Sequence, residues 1–351
     1  MKLTDREWKE FKIGDLFCTK KVQGRPIENY SSGNVPYITT ASTNNGLTNF
    51  ISSPQTAISD KRCISIDPIK GKAFYHPYEF VGRGFSGASI NLLYNENINE
   101  NIAMFLCGAI EKTAKHKASY GYLFNSNRLE NGKIMLPITT DGQPDYQFME
   151  DYIKEIMHKK RQEYIEYAKV KLEQNRTEQK VPLHSKKWKE FFMIDIFSSI
   201  QRGKRLIKDK QIAGNVPYVS STAMDNGVDN FIQYDSSKMR KYQNCLSVAN
   251  SGSVGASFYE PFEYVASDHV THLKNDNFNK NIYLFIATMT GRWSQKYNFN
   301  REINDARISR EKMLLPVNNN DEPDYAYMEQ YVNNALVQKY NDYLDYAKKV
   351  V

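Results

Sequence analysis

An internal repeat constrains the fold of this chain more than any other feature of its sequence. Residues Pro144–Lys169 return as Pro323–Lys348, at the same length, and both copies open with Pro-Asp-Tyr and close with Tyr-Ala-Lys. In each copy the apolar residues recur at the three- and four-residue spacing of one helix face. The pattern predicts two long amphipathic helices of about 26 residues, each roughly 39 Å long.

The apolar face of each predicted helix needs a covering surface, and the other helix is the simplest one. Asp145 and Asp324 precede the helices as N-caps, and each follows a proline that favours a turn. We therefore predict a helix pair that also offers a docking surface for a partner. Its residues are Met149, Ile153, Ile156, Met328, Val332 and Ala335.

The composition indicates a folded protein with two domains. The chain has 351 residues, of which 40% are hydrophobic and 13% aromatic. Its sequence contains no apolar run of transmembrane length and no signal-peptide pattern, so we expect a cytoplasmic protein with no membrane partner. The four cysteines lack metal-ligand spacing and are expected to be reduced, and the net charge of +7 is compatible with a polyanionic partner.

The segments before the two helices also match in order. Gly33–Tyr37 matches Gly214–Tyr218, and the turns at Asn44–Gly46 and Asp225–Gly227 predict tight β-hairpins. We therefore expect an α+β fold with two tandem β-rich globules, each followed by a long helix. The predicted boundaries are residues 1–143 for the first globule, 144–172 for its helix, 173–187 for a linker, 188–322 for the second globule and 323–351 for its helix.

Catalytic and metal-binding patterns are weak. Asn34–Tyr37 and Asn215–Tyr218 are similar to the Asn-Pro-Pro-Tyr of amino-methyltransferases, but both lack the first proline, and no Gly-rich nucleotide loop precedes them. His269 and His272 have a possible metal-ligand spacing without a third ligand. We predict no catalytic residue, no metal site and no cofactor in this chain.

Side chains that read base edges or contact phosphates are frequent where the two copies diverge. In the first copy these candidates are Lys20, Lys21, Arg25, Lys70, Lys72, Arg83, Lys117, Tyr120, Tyr122, Asn125 and Arg128. In the second copy they are Arg202, Lys204, Arg205, Asn250, Ser253, His269, Lys296, Tyr297, Asn300 and Arg301. Two similar frames that carry different polar loops indicate recognition of two different sequences.

The order of these motifs, found twice, resembles the specificity subunits of Type I restriction-modification systems and their Type IIB relatives. In both copies the motifs are the Trp-Lys-Glu-Phe opening, Asn-Val-Pro-Tyr, the Asn-Gly hairpin and the Pro-Asp-Tyr start of the helix. The second copy also has Asn-Ser-Gly-Ser-Val-Gly, where the first departs from the family pattern at Ile66–Lys72. The resemblance implies two target recognition domains that read a bipartite, asymmetric site in double-stranded DNA. It also implies antiparallel spacer helices related by a pseudo-twofold axis, on which methyltransferase subunits that use S-adenosylmethionine dock, together with a possible restriction subunit.

Two alternatives remain open at the level of sequence. The Asn-Val-Pro-Tyr segments leave room for a stand-alone methyltransferase or nuclease with degenerate motifs. The helix pair alone is also compatible with a protein scaffold that binds no DNA.

Overall fold

The computed structural model describes residues 1–52, 55–85, 89–115, 117–119, 121–175, 180–298 and 301–350. The chain divides into two compact units, Met1–Tyr164 and Ile165–Val351. Each unit contains a β-rich globule, and each globule is followed by a long helix. This architecture confirms the predicted α+β class and the tandem arrangement.

The elements of the first globule follow the predicted order. Its strands are β1 (Trp8–Lys12), β2 (Cys18–Lys21), β3 (Ser32–Ile38), β4 (Leu47–Ile51), β5 (Cys63–Ile66), β6 (Ala73–His76), β7 (Val81–Gly82), β8 (Asn91–Tyr94) and β9 (Lys133–Pro137). Its helices are α1 (Ile13–Leu16), α2 (Glu100–Ala114) and α3 (Ser126–Glu130), and the long helix α4 (Tyr146–Gln174) continues into the second unit.

The second globule repeats this order with one additional strand. Its strands are β10 (Trp188–Phe192), β11 (Ser199–Arg202), β12 (Ala213–Val219), β13 (Val228–Ile232), β14 (Lys241–Tyr242), β15 (Cys245–Ala249), β16 (Ser257–Glu260), β17 (Tyr264–Ala266), β18 (Val270–Lys274) and β19 (Lys312–Pro316). Its helices are α5 (Met193–Ile196), α6 (Lys280–Thr290), α7 (Asp305–Arg310) and the long helix α8 (Tyr325–Val350). Among the described residues, no helix combines the length and the hydropathy that a membrane span requires.

The sheets of the two units have the same topology except for one additional edge strand, β14, in the second unit. In the first unit β1 pairs with β9, a four-stranded sheet has the order β2-β8-β5-β6, and a three-stranded sheet has the order β4-β3-β7. In the second unit the matching orders are β10-β19, β11-β18-β15-β16 and β13-β12-β17-β14. The central strands β5 and β15 are buried along their whole length, as expected of short apolar runs inside a core.

The predicted hairpins are present at the same place in both units, but they are not tight, because residues 39–46 and 220–227 separate the paired strands. Asn44 and Asn45 have φ of 50° and 52°, and Asp225 and Asn226 have φ of 48° and 53°. Asparagine and aspartate tolerate this left-handed conformation better than other residues with a side chain, because their short polar groups can bond locally. The turns lead directly into β4 and β13.

The start of each long helix is built into its own globule. Asp145 accepts a hydrogen bond from the Phe148 amide at 2.9 Å, and Asp324 accepts one from the Tyr327 amide at 3.0 Å. Both aspartates are therefore N-caps, as predicted.

The cores of the globules include the first turns of these helices. Met149 and Met328 are fully buried in the core clusters of the first and second units. The prediction that these two methionines form a docking surface was therefore wrong, because the globule itself covers this part of the apolar face. Ile153 and Val332 are partly buried against the same cores.

Farther along the helices the predicted face is less covered. Ile156 and Ala335 are exposed. In the second unit, the ring of Tyr167 near the end of α4 lies 6.0 Å from that of Tyr340 on α8. Farther along the chain, the carbonyl of Val181 accepts a hydrogen bond from the hydroxyl of Tyr327, nearer the start of α8, at 3.0 Å. These contacts indicate that the last turns of α4 run antiparallel to α8.

Each unit has one buried titratable side chain at the same position of its four-stranded sheet. On β6, His76 lies opposite Cys63, and on β16, Glu260 lies opposite Cys245. Both titratable side chains are fully buried, and each contacts a serine of the neighbouring strand. Burial lowers the pKa of His76 to about 4 and raises the pKa of Glu260 to about 7.

These shifts predict opposite pH responses in the two units. Between pH 4.5 and 7 folded Glu260 keeps a proton that the unfolded chain has released, so stability falls as the pH rises through this window. Between pH 6.5 and 4 the unfolded chain binds a proton that folded His76 does not bind, so stability falls as the pH drops.

We expect Glu260→Gln to remove the first response. At pH 8 the variant should be more stable than the wild type by about 3 kcal/mol, because it buries no charge, and at pH 4.5 the two should be similar. Hydrogen exchange of the β15 and β16 amides across this pH range measures the effect. His76→Gln is the matched control, since it should flatten only the acidic response of the first unit. An unchanged profile in the Glu260 variant would contradict the assignment.

Candidate nucleic-acid interface

Three loops of the first unit meet at the end of the four-stranded sheet where β5 connects to β6. The loop between β5 and β6 carries Lys70, whose Nζ donates a hydrogen bond to Ser42 Oγ at 3.2 Å. The backbone amide of Phe124 donates to the Pro68 carbonyl of the same loop at 2.8 Å. The β3–β4 turn, the β5–β6 loop and the segment before α3 are thus joined, and Lys70 is exposed where they meet.

A buried carboxylate shapes the central loop of this cluster. Asp67 accepts a hydrogen bond from the Ile69 amide at 2.8 Å and is almost fully buried. Burial raises the pKa of Asp67, while the backbone amides of Ile69 and Lys70 and then the charges of Lys70 and Arg83 lower it. Asp67 therefore holds the turn that presents Lys70.

The basic segment after β2 crosses to β7, in the three-stranded sheet of the first unit. The Gly24 amide donates to the Gly82 carbonyl at 3.1 Å, and the Gly84 amide donates to the Gly24 carbonyl at 3.0 Å. A Cβ on Gly24 would lie 2.2 Å from the Gly82 oxygen, so only glycine permits this approach. The crossing places Arg25 beside Arg83, whose guanidinium lies 4.5 Å from the centre of the Phe85 ring.

The segment before α3 is braced from inside by Arg128. Its guanidinium donates to the carbonyls of Leu123 and Lys117 and lies 3.2 Å from the centre of the Tyr122 ring. Arg128 is thus engaged within the protein, whereas the Tyr122 side chain is 63% exposed. Asn125 opens α3 as its N-terminal flanking residue.

The other predicted DNA contacts of the first unit fall into two groups, those in ion pairs within the protein and those that are exposed. Lys20 pairs with Asp60 at 3.2 Å, and Lys72 pairs with Glu111 at 3.0 Å. Lys21, Arg25 and Lys117 are exposed. Tyr120, like Asn300 of the second unit, lies outside the described residues.

In the second unit the loop after β15 is joined to two other loops. The Asn250 amide donates to the His269 carbonyl at 2.8 Å, and the Asn250 carbonyl accepts from the Ile303 amide at 3.3 Å. The Ser253 amide donates to the Ser221 carbonyl, beside the β12–β13 turn, at 3.2 Å. The loops that match those of the first unit therefore converge here as well.

His269 stands at the exposed edge of this cluster. Its Nδ1 lies 3.0 Å from Ser251 Oγ and 3.0 Å from Glu302 Oε1. Because both neighbours face the same nitrogen, the three residues cannot relay a proton through the ring as a serine hydrolase triad does. His272 is separate and buried, with its Nε2 2.9 Å from Ser199 Oγ.

Arg202 connects the loops of this cluster through contacts with three of their residues. Its Nη2 lies 3.7 Å from a carboxylate oxygen of Glu302, its Nε donates to the Asp268 carbonyl at 2.8 Å, and its backbone amide donates to Asp305 at 3.0 Å. With these partners, Arg202 lies within the scaffold of the loops. Lys204 is half-buried and Arg205 exposed in the segment that follows.

Two predicted contacts of the second unit are buried. Asn250 is fully buried, and Tyr297 is 4% exposed and packs in the hydrophobic core. The prediction that these two side chains contact DNA was wrong, because neither reaches the surface in this conformation. Lys296 pairs with Glu311 at 2.7 Å, whereas Arg301 is exposed above the edge of the Tyr297 ring.

Several residues of the two clusters gave no signal of their own in the sequence. Asp67, Ser251 and Glu302 become important only because distant segments meet around them. The signal available for Ser251 was its place in the Asn-Ser-Gly-Ser-Val-Gly turn, where Gly252 has a φ of 60°. The two clusters thus share a frame but differ in chemistry: the first presents Lys70, and the second presents His269.

Comparison with known proteins agrees with this duplicated frame. The model of the Type I restriction modification DNA specificity domain matches the chain twice, over residues 5–167 and 185–345. The specificity subunit S.BcgI of a Type II restriction enzyme from Heyndrickxia coagulans is 30% identical over 334 residues, which cover 93% of this chain and 94% of that protein.

Solved structures of specificity subunits align along nearly the whole chain at low similarity. The S subunit of a Type I restriction-modification system from M. genitalium has 15% identity and a TM-score of 0.42, with 99% of this chain and 94% of that one covered. The HsdS subunit from Thermoanaerobacter tengcongensis has 11% identity and a TM-score of 0.32, with 97% and 96% covered.

The two family matches fall on the two repeats, and the curated relative spans nearly all of both proteins. The chain therefore belongs to the family of restriction-modification DNA specificity subunits, non-catalytic proteins with two recognition domains.

Proposed function

We propose that each unit of this chain reads one half of a bipartite, asymmetric site in double-stranded DNA. The observation that carries the proposal is the difference between the two loop clusters on one frame. Lys70 offers only hydrogen-bond donors in the first cluster, whereas His269 and Ser253 in the second also offer acceptors. Different donor and acceptor patterns select different base edges or phosphate contacts.

The spacer helices support a fixed distance between the half-sites. Helices α4 and α8 have 29 and 26 residues, so each measures roughly 39–44 Å. One turn of duplex DNA is about 34–36 Å long. Half-sites about one helical turn apart suit elements of this length.

Methyl transfer belongs to a partner in this proposal. A methyltransferase subunit binds S-adenosylmethionine and transfers the methyl group, and a restriction subunit joins the same complex. This chain, in the cytoplasm, determines the DNA sequence at which the complex acts. The support is the family membership together with the divergent loops on a common frame.

An apolar groove in the first unit offers a docking place for that methyltransferase. Its floor is a row of aromatic rings, in which Trp8 stacks on Phe105 at 6.0 Å and Tyr152 meets Phe105 edge to face at 5.9 Å. Met104 and Met135 line the groove and are 41% and 47% exposed. The cavity has a volume of about 870 Å³, large enough to receive several apolar side chains.

The second unit repeats the floor of this groove. The Trp188 and Phe285 rings are 6.4 Å apart, and the Phe285 and Tyr331 rings are 5.8 Å apart. Leu314, at the position of Met135, is 44% exposed. A surface that stays apolar in both copies suits one kind of protein partner bound twice, and Ile153 of the predicted docking face lines the groove.

Methylation of random-sequence DNA tests the proposed function. The chain and the methyltransferase encoded beside it are assayed together and separately, and modified sites are read by sequencing. We expect one split, asymmetric motif that requires both proteins. Methylation or cleavage by this chain alone would overturn the assignment in favour of an enzyme.

We expect Arg301→Ala to change only the second half-site. If the exposed guanidinium reads a base, its loss should reduce discrimination at one position by about 1–3 kcal/mol and leave the first half-site intact. The control is Lys280→Ala, an exposed lysine at the opposite end of α6 from the loop cluster. An even loss of affinity across all sequences would instead assign Arg301 to phosphate contact.

We expect a charge placed in the groove of one unit to prevent one methyltransferase subunit from binding there. Met135→Glu and Leu314→Glu each place a carboxylate on an exposed apolar position, so the fold should persist while one binding place is lost. Native mass spectrometry should show one methyltransferase bound to each single variant and none to the double variant. Ile212→Glu, at the residue just before β12 and 65% exposed, is the control. Full binding by the double variant would contradict this docking site.

A further inference from the structure

The imidazole of His269 is held by one of its two nitrogens. Nδ1 lies 3.0 Å from both Ser251 Oγ and Glu302 Oε1, and the side chain is 48% exposed. Two polar partners therefore hold the Nδ1 edge of the ring, and almost half of the side chain remains open to solvent. Such an arrangement orients the ring before any ligand arrives.

The partners of Nδ1 decide where the ring carries its proton. A carboxylate oxygen can only accept a hydrogen bond, so a lone pair on Nδ1 would face Glu302 unfavourably. Nδ1 consequently carries the hydrogen and donates it to Glu302, with the Ser251 oxygen beside it. When the ring carries a single proton, that proton is therefore on Nδ1, and Nε2 then presents a lone pair and acts as an acceptor.

The carboxylate that fixes this tautomer is itself held in place. Arg202 Nη2 lies 3.7 Å from Glu302, and Arg202 Nε lies 4.0 Å from Asp305. Asp305 also accepts a hydrogen bond from Thr271 Oγ1 at 3.1 Å, on the strand that follows His269. The charge of Glu302 is thus partly balanced, and its position is tied to α7 and β18.

We propose that His269 reads the exocyclic amino group of a base in the second half-site, accepting its hydrogen bond at Nε2. Ser251, Glu302 and Arg202 act as positioning residues. The assignment rests on the proposed function and names the chemistry of one contact within it.

The major groove contains only two base groups that satisfy this acceptor. Adenine presents the N6 amino group and cytosine the N4 amino group, whereas guanine and thymine present acceptors at the matching edge. With a single ring proton, held on Nδ1, His269 therefore selects adenine or cytosine. In the first cluster, Lys70 offers only donors and makes the opposite selection if it contacts a base edge.

Removal of the amino group from single bases tests the proposal. The complex of this chain with its methyltransferase is measured for Kd on duplexes carrying the methylated motif. In further duplexes, purine replaces one adenine, or 2-pyrimidinone replaces one cytosine, of the second half-site. For the wild type we expect one position at which the loss weakens binding about five- to tenfold, the size of one neutral hydrogen bond.

The His269 variants show whether this loss belongs to the histidine. His269→Ala should bind the normal and the modified duplex equally, because the acceptor is gone. His269→Gln keeps an acceptor oxygen and should retain part of the difference. Glu302→Ala should reduce the difference and Glu302→Gln should largely restore it, because the amide oxygen still accepts from Nδ1. His184→Ala, an exposed histidine elsewhere in the unit, is the control with the full difference.

The outcomes separate this contact from the proposed function. A five- to tenfold loss that persists unchanged in His269→Ala would overturn the assignment alone, as would coupling of His269 to a guanine or thymine. A wild-type complex without any sequence preference would overturn the proposed function and this contact with it.

Discussion

The attachment of each spacer helix to its globule is the interaction on which the rest of the molecule depends. Met149 and Met328 are fully buried in the cores of the two units, and Asp145 and Asp324 cap the helices that carry them. Truncation of a buried methionine costs about 2–5 kcal/mol, so the joint is a structural part of each core. Because the first turns belong to the core, a globule cannot turn independently of the start of its helix.

The same frame carries two different reading surfaces. The central strands, the left-handed Asn-Gly turns and the aromatic groove floors are kept in both units, whereas the loops around Lys70 and His269 differ. Buried packing restricts the frame, and exposed loops tolerate change. In the proposed function, the groove remains alike because one kind of partner binds it twice, and the loops differ because each contacts its own half-site.

Much of this architecture was predictable because its signals are local. Helical periodicity, N-cap aspartates and Asn-Gly turns each depend on a few neighbouring residues, and the structure confirms them. The covering of the helix face was not predictable, because periodicity shows which face is apolar and not which surface covers it. The burial of Tyr297 and Asn250 and the pairing of Ser251 with His269 depend on contacts between distant segments, which residue type alone does not reveal. Individual base contacts remain predictions for the same reason.

Exchange of a whole globule tests the central claim that each unit reads its own half-site on an interchangeable frame. In the chimera, residues 8–143 replace residues 188–322, so that both helices follow the first globule. The chimera is combined with the methyltransferase, and the methylated motif is read by sequencing. Independent reading predicts a symmetric site that contains the first half-site twice. A motif that still contains the wild-type second half would contradict the account.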